Sequence, residues 1–213
     1  MNKIILRSLL ALILVGCDIG GLHGNGNIVT ESRSVQPFTS IETSGGFEVD
    51  WRSGPPSASL TADENLLSLI DLRVSNGTLT ARTTRNVRPT HSIQLHLTSP
   101  SLTAASLSGA SRFNAHRLSG ARFSIETSGA SKVELDGTVG ELIAGLTGAS
   151  DLRAESLQTK SAELSLTGAA DARVHVTDSL KTSITGAGSV RYSGNPPHVE
   201  RHITGAGTIR KSE

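Results

Sequence analysis

One short unit returns at nearly constant spacing through the second half of the chain. Gly109, Gly129, Gly148, Gly168, Gly186 and Gly205 follow one another at steps of 20, 19, 20, 18 and 19 residues. Aligning the chain on these glycines makes columns. The residue before each is hydroxylated: Ser108, Ser128, Thr147, Thr167, Thr185 and Thr204. The residue after each is Ala110, Ala130, Ala149, Ala169, Ala187 or Ala206. Two after come the small residues Ser111, Ser131, Ser150, Ala170, Gly188 and Gly207, and three after come polar residues. Four after come Phe113, Val133, Leu152, Ala172, Val190 and Ile209. Two before, Leu107, Leu146, Leu166, Ile184 and Ile203 are apolar and only Thr127 departs.

Alternation of apolar and polar positions is the mark of a strand with one buried face. A strand that repeats at this period cannot bury that face alone, so successive units must stack. The expected fold is therefore all-β: a right-handed parallel β-solenoid of about 19–20 residues per coil. Strict alternation turns the alanines outward, whereas a left-handed glycine turns them inward; both orientations are open. Thr43-Ser44-Gly45-Gly46-Phe47-Glu48-Val49 fits the same template. Residues 60–98 break the period. Asn76-Gly77 is a hairpin signal between two short strands, and Ile93, Leu95 and Leu97 alternate. This N-terminal portion is expected to be partly antiparallel, with a short helix within 62–70 and a loop at Pro196-Pro197.

The N-terminus reads as a processing signal. Lys3 and Arg7 precede the apolar run Leu9–Val15, which is too short to span a bilayer. Leu14-Val15-Gly16-Cys17 resembles a bacterial lipobox, in which the cysteine is lipidated and becomes the first residue. The alternative is a signal peptide with an incidental thiol. Cys17 is the only cysteine, so no intrachain disulfide can form. The organisation expected is a leader at 1–16, a lipidated Cys17 with a flexible tether to 27, and a solenoid domain over 28–213. Asp18 resembles an inner-membrane retention signal where enteric-type sorting applies, which places the body in the periplasm.

The residues resemble the head GIN domain family, described as auto-transporter adhesins of undefined activity. The resemblance rests on Gly24-Asn25-Gly26-Asn27-Ile28-Val29, Phe38-Thr39-Ser40-Ile41, Ser44–Val49, Ala62–Leu67, Asn76-Gly77-Thr78-Leu79 and the Ser/Thr-Gly-Ala units. It implies a β-solenoid and little chemistry.

No catalytic constellation emerges. Net charge is +1, and Lys3 and Arg7 in the leader leave the body at −1, so a nucleic-acid partner is not expected. Asp151 and Asp171 share a column and could face one cation, or could be two solvated carboxylates. Asp63-Glu64-Asn65 reads as a ligand cluster or, more simply, as a helix N-cap with acids in the first turn. His91 and His96 fall on opposite strand faces, and His198 and His202 lack a third ligand. The hydroxyl column could bind sugar, a partner or ice, or could be ordinary exposed strand surface. No catalytic residue, metal ligand or cofactor is therefore expected. The chain reads as a non-catalytic envelope lipoprotein that presents a binding or adhesion surface to polysaccharide or another envelope protein. A carbohydrate-active enzyme on the same scaffold, or a self-assembling structural homo-oligomer, are the alternatives.

Overall fold

The computed structural model describes residues 20–212. The strands in chain order are β1 (Leu22–His23), β2 (Ile28–Arg33), β3 (Ser40–Ser44), β4 (Phe47–Ser53) and β5 (Ser57–Asp63). A 3-10 helix, Glu64–Leu69, precedes β6 (Ile70–Ser75), β7 (Thr78–Thr83), β8 (Val87–Arg88) and β9 (Ile93–Ser99). Then come β10 (Ala104–Gly109), β11 (Arg112–Gly129), β12 (Lys132–Gly148), β13 (Asp151–Gly168) and β14 (Asp171–Gly186). The last three are β15 (Ser189–Ser193), β16 (His198–Gly205) and β17 (Thr208–Lys211).

These strands wind into a β-solenoid of about five turns. The long strands β11 to β14 each bend and run through more than one wall. The first wall stacks β9, β4, the start of β11, β12, β13 and β14, then β15 and β17, all parallel. The second stacks β7, β3, β10, the ends of β11 to β14, and β16, also parallel. The glycine column joins them. Gly109, Gly129, Gly148, Gly168, Gly186 and Gly205 pair in direct register from coil to coil.

Alternation builds the core. On the first wall Leu95, Val49, Phe113, Val133, Leu152, Ala172, Val190 and Ile209 form one ladder. From Leu95 to Val190 every member is buried, each worth roughly 1.5–3 kcal/mol for the larger side chains. Thr127, the exception in its column, is buried and donates to Ser150 Oγ at 2.9 Å. That bond satisfies a hydroxyl that would otherwise be costly to bury.

The glycines have φ between +99° and +122° from Gly109 to Gly205, a region unfavourable for L-residues. They are also crowded. A Cβ on Gly168 would lie 2.7 Å from the Gly148 carbonyl oxygen, which already accepts the Ala169 N–H at 2.9 Å. The bend does not flip the phase. All six alanines of the next column are exposed, while Ser111, Ser131 and Ser150 point inward and are buried.

The first end differs. Although β3 and β4 precede β7 and β9 in sequence, they lie between the β7–β9 coil and the β10–β11 coil. Beyond β9, β5 and then β2 add antiparallel strands, and β6 closes the second wall antiparallel to β7. The β6–β7 hairpin turns through Asn76 and Gly77, with φ of 50° and 74°, as their sequence implies. The loop with Pro196-Pro197 lies between β15 and β16, as expected.

Candidate functional site

Four groups of side chains carry enough chemistry to be tested as sites. The first surrounds Asp63. It occupies the N-cap position of the 3-10 helix, yet its side chain makes no capping bond. Instead it is fully buried and reaches outward from the helix. Its carboxylate accepts the Gly26 N–H at 2.8 Å, the Thr90 N–H at 2.9 Å and the Thr90 hydroxyl at 2.7 Å. Burial pushes this carboxyl up, but the Thr90 and Gly26 donors outweigh it and hold it below the usual aspartate range. Gly24 packs against the same carboxylate so closely that no Cβ fits. Asn25 N–H donates to Asn65 Oδ1, Asn65 Nδ2 donates to the His23 carbonyl, and Asn27 Nδ2 donates to Glu64 Oε2. Asp63 thus takes the expected N-cap position with Glu64 in the first turn, but without a capping bond: the three side chains moor residues 23–27. Those residues were expected to end a flexible tether, and they are bonded to the body.

The second group centres on His116. Its Nδ1 lies 2.8 Å from Asp136 Oδ2 and its Nε2 lies 3.3 Å from Asp50 Oδ2. Asp136 Oδ1 accepts the Arg117 N–H at 2.6 Å, where Arg117 adopts φ of +55°. Burial raises the Asp136 carboxyl, and Arg117 N–H and His116 more than reverse this, leaving it below the usual range. His116 and Arg117 occupy a shift in strand register between Ala115 and Leu118. The cluster fastens a corner, and no spacing in the sequence announces it.

The third group is Asp151 and Asp171, which do pair in register. Asp151 is bound to Arg153 Nε at 3.0 Å. Among the described residues no three His, Cys, Asp or Glu side chains are placed to hold a metal ion. The fourth group stands five residues after successive glycines and was not read from sequence. Arg153, Arg173, Arg191 and Arg210 pair directly from coil to coil on the outside of the first wall. Counting one position further in the glycine alignment would have revealed them.

The hydroxyl column faces out, as its parity requires. A shallow concavity of that wall is lined by Ser106, Ser108, Glu126, Ser128 and Thr147, and opens where Gly145 carries no side chain. Cys17 and Asp18 lie outside the described residues, and among those described no helix is long and apolar enough to cross a membrane.

The family model described as "Putative auto-transporter adhesin, head GIN domain" matches residues 37–196. A "putative adhesin" from Bacteroides fragilis is similar in structure, with a TM-score of 0.74 at 20% identity over 90% of this chain and all of that one. A "putative lipid binding protein" from Parabacteroides distasonis gives 0.59 at 21% over 91% of this chain and all of the other. A "putative adhesin" from Parabacteroides merdae gives 0.57 at 20% over 91% of this chain and 99% of the other. No curated protein matches. These likenesses carry the fold, and the family match over most of the sequence carries membership: the chain belongs to the head GIN domain family.

Proposed function

We propose that the protein is a non-catalytic, lipid-anchored envelope protein that uses the walls of its solenoid as a binding and adhesion surface. The observation that carries this reading is structural economy. Each cluster of acid and imidazole groups around Asp63 and His116 is consumed by a bond that fixes the fold. What the walls present outward is shallow, laddered and polar, suited to a partner spread over several coils. Adhesin-type family membership agrees with it. In this reading Cys17 carries the lipid, residues 1–16 are removed, and Asp18 favours inner-membrane retention with the body in the periplasm. The partner is a polysaccharide or another envelope protein.

Metabolic labelling with a radioactive fatty acid tests the anchor: wild type takes up label and Cys17→Ala does not. Label on Cys17→Ala would refute lipidation at that thiol. A glycan array probed with the full chain tests the surface. Retention on one class of glycan is expected. Uniform silence on the array, together with no envelope protein held stoichiometrically, would overturn the adhesion reading.

A further inference from the structure

The arginine column changes character along its length. Arg153 is neutralised by Asp151 at 3.0 Å and Glu134 at 3.4 Å. Arg173 has Glu155 at 3.9 Å and Asp171 two residues before it. Arg191 and Arg210 have no ion-pair partner among the described residues. The flanking residues change in step. The column beside them runs Asp151, Asp171, Ser189, Thr208, so hydroxyls replace carboxylates where the arginines become unpaired. Ser193 stands on the other side of Arg191, where Glu155 flanks Arg153.

Two guanidinium groups directly opposite on adjacent parallel strands stand about 4.8 Å apart at their backbones and repel. Both are exposed, so the repulsion is modest in water, but an anion bridging them would remove it and gain charge-assisted forked hydrogen bonds. A small cleft lined by Asp171, Arg173, Ser189 and Arg191 marks the backbone groove between two of these coils.

We propose that Arg173, Arg191 and Arg210, with Ser189 and Thr208, form a binding stripe for a linear acidic polysaccharide bearing carboxylates. The proposal rests on the adhesion reading and names its ligand class. A linear chain fits because the cations advance one per coil along a straight column. A planar anionic membrane fits worse, since it would spread beyond the stripe and also meet Asp151 and Glu155 on the same wall. A small anion would gain only one fork and leave the rest of the column unused.

The test is titration of the detergent-solubilised full chain with polygalacturonate, with uncharged dextran and inorganic phosphate as comparisons. Polygalacturonate is expected to bind, weakening with added salt, while dextran and phosphate do not. The double variant Arg191→Gln/Arg210→Gln should weaken binding at least tenfold, and Arg191→Lys/Arg210→Lys by less. Arg122→Gln, on the second wall and paired with Glu141, should bind as wild type does. Equal binding by wild type and the double glutamine variant overturns the stripe. So does retention on anionic phospholipid vesicles through these arginines without polygalacturonate binding. If the glycan array retains the protein on neutral sugars while polygalacturonate fails, the stripe falls and the adhesion reading survives.

Discussion

The two ends of the stack are closed by different physics. At the first end the chain folds back on itself: β5, β2 and β6 add antiparallel strands beyond the last parallel coil, and Asp63 binds Gly26 and Thr90 across them. At the far end β15, β16 and β17 simply continue the ladder. The first end is held by polar bonds between segments distant in sequence. The coils between the ends are held by repetition, each stabilising its neighbours. A defect in the coils should therefore spread, and a defect in the cap should stay local.

The largest effect is expected from a Cβ inside the glycine column. Gly168→Ala places a methyl group 2.7 Å from the Gly148 carbonyl oxygen at φ of +102°. The backbone conformation alone costs about 1–2 kcal/mol and the clash adds a similar amount, together about 3 kcal/mol. That corresponds to a fall in Tm of roughly 10 °C for a chain of this size. Gly45 begins the column at φ of +125°, but a Cβ there meets only the Phe47 ring, at 3.6 Å. Gly45→Ala should cost about 1 kcal/mol, the conformational part only. Equal losses in thermal unfolding would show that the close carbonyl contact is not what fixes glycine in the coils.

Asp63→Ala comes next. It removes the buried carboxylate that accepts the Gly26 and Thr90 N–H groups and the Thr90 hydroxyl, and with these charge-assisted bonds lost a Tm loss on the order of 5 °C is expected. Its signature is location. Hydrogen exchange should accelerate in residues 22–27 and 84–92 while residues 112–186 keep their protection. Acceleration throughout the coils would mean that cap and solenoid open as one unit.

The coils were legible in the sequence because every coil repeats the same environment, so six weak local signals add into one pattern. The hairpin at Asn76-Gly77 and the alternation at Ile93, Leu95 and Leu97 were legible for the ordinary reason that turn and strand chemistry are local. The direction of the alanine column was not. It depends on whether a glycine at positive φ shifts the pleat, and here the inward–outward order continues across the glycine. The purpose of Asp63 was equally hidden, since its partners lie 37 residues before it and 27 after it. His116 meets Asp50 and Asp136 only because of a register shift between Ala115 and Leu118. Long-range polar contacts and irregular corners leave no period to read.

Acid should separate the two regions by a smaller margin. The carboxyls held below their usual range are Asp63 and Asp71 in the cap and Asp136 in a coil corner. For Asp71 the Arg73 hydrogen bond is the main cause. A depressed carboxyl contributes stability fully above its unfolded pKa of about 3.9, and loses it as pH falls through the lower folded value. Two of these three sites are in the cap, so hydrogen exchange below pH 4 should show the cap opening before the coils. Asp63→Asn should flatten that difference. Lys181, raised by its hydrogen bond to Glu163, has the opposite sign and weakens the coils only as pH rises through its elevated value.

The smallest effect on stability, and the sharpest test of the contrast, concerns the far end. Inward positions of the final coil carry charge: Lys211 continues the column of Val174 and Tyr192, and Arg201 continues that of Leu164 and Thr182. Arg201 donates to the Tyr192 hydroxyl at 2.8 Å and lies 5.8 Å from its ring centroid, and Lys211 donates to Asn195 Oδ1 at 2.9 Å. Charges pointing inward at a sheet end are a known defence against edge pairing, because another copy stacking there would strip both of water. Arg201→Leu/Lys211→Leu should therefore change folding stability by less than about 1 kcal/mol, yet form concentration-dependent oligomers in sedimentation velocity more strongly than wild type does. If wild type already associates and the double leucine variant does so no more strongly, the charges are not the barrier, and the far end is open to its own kind.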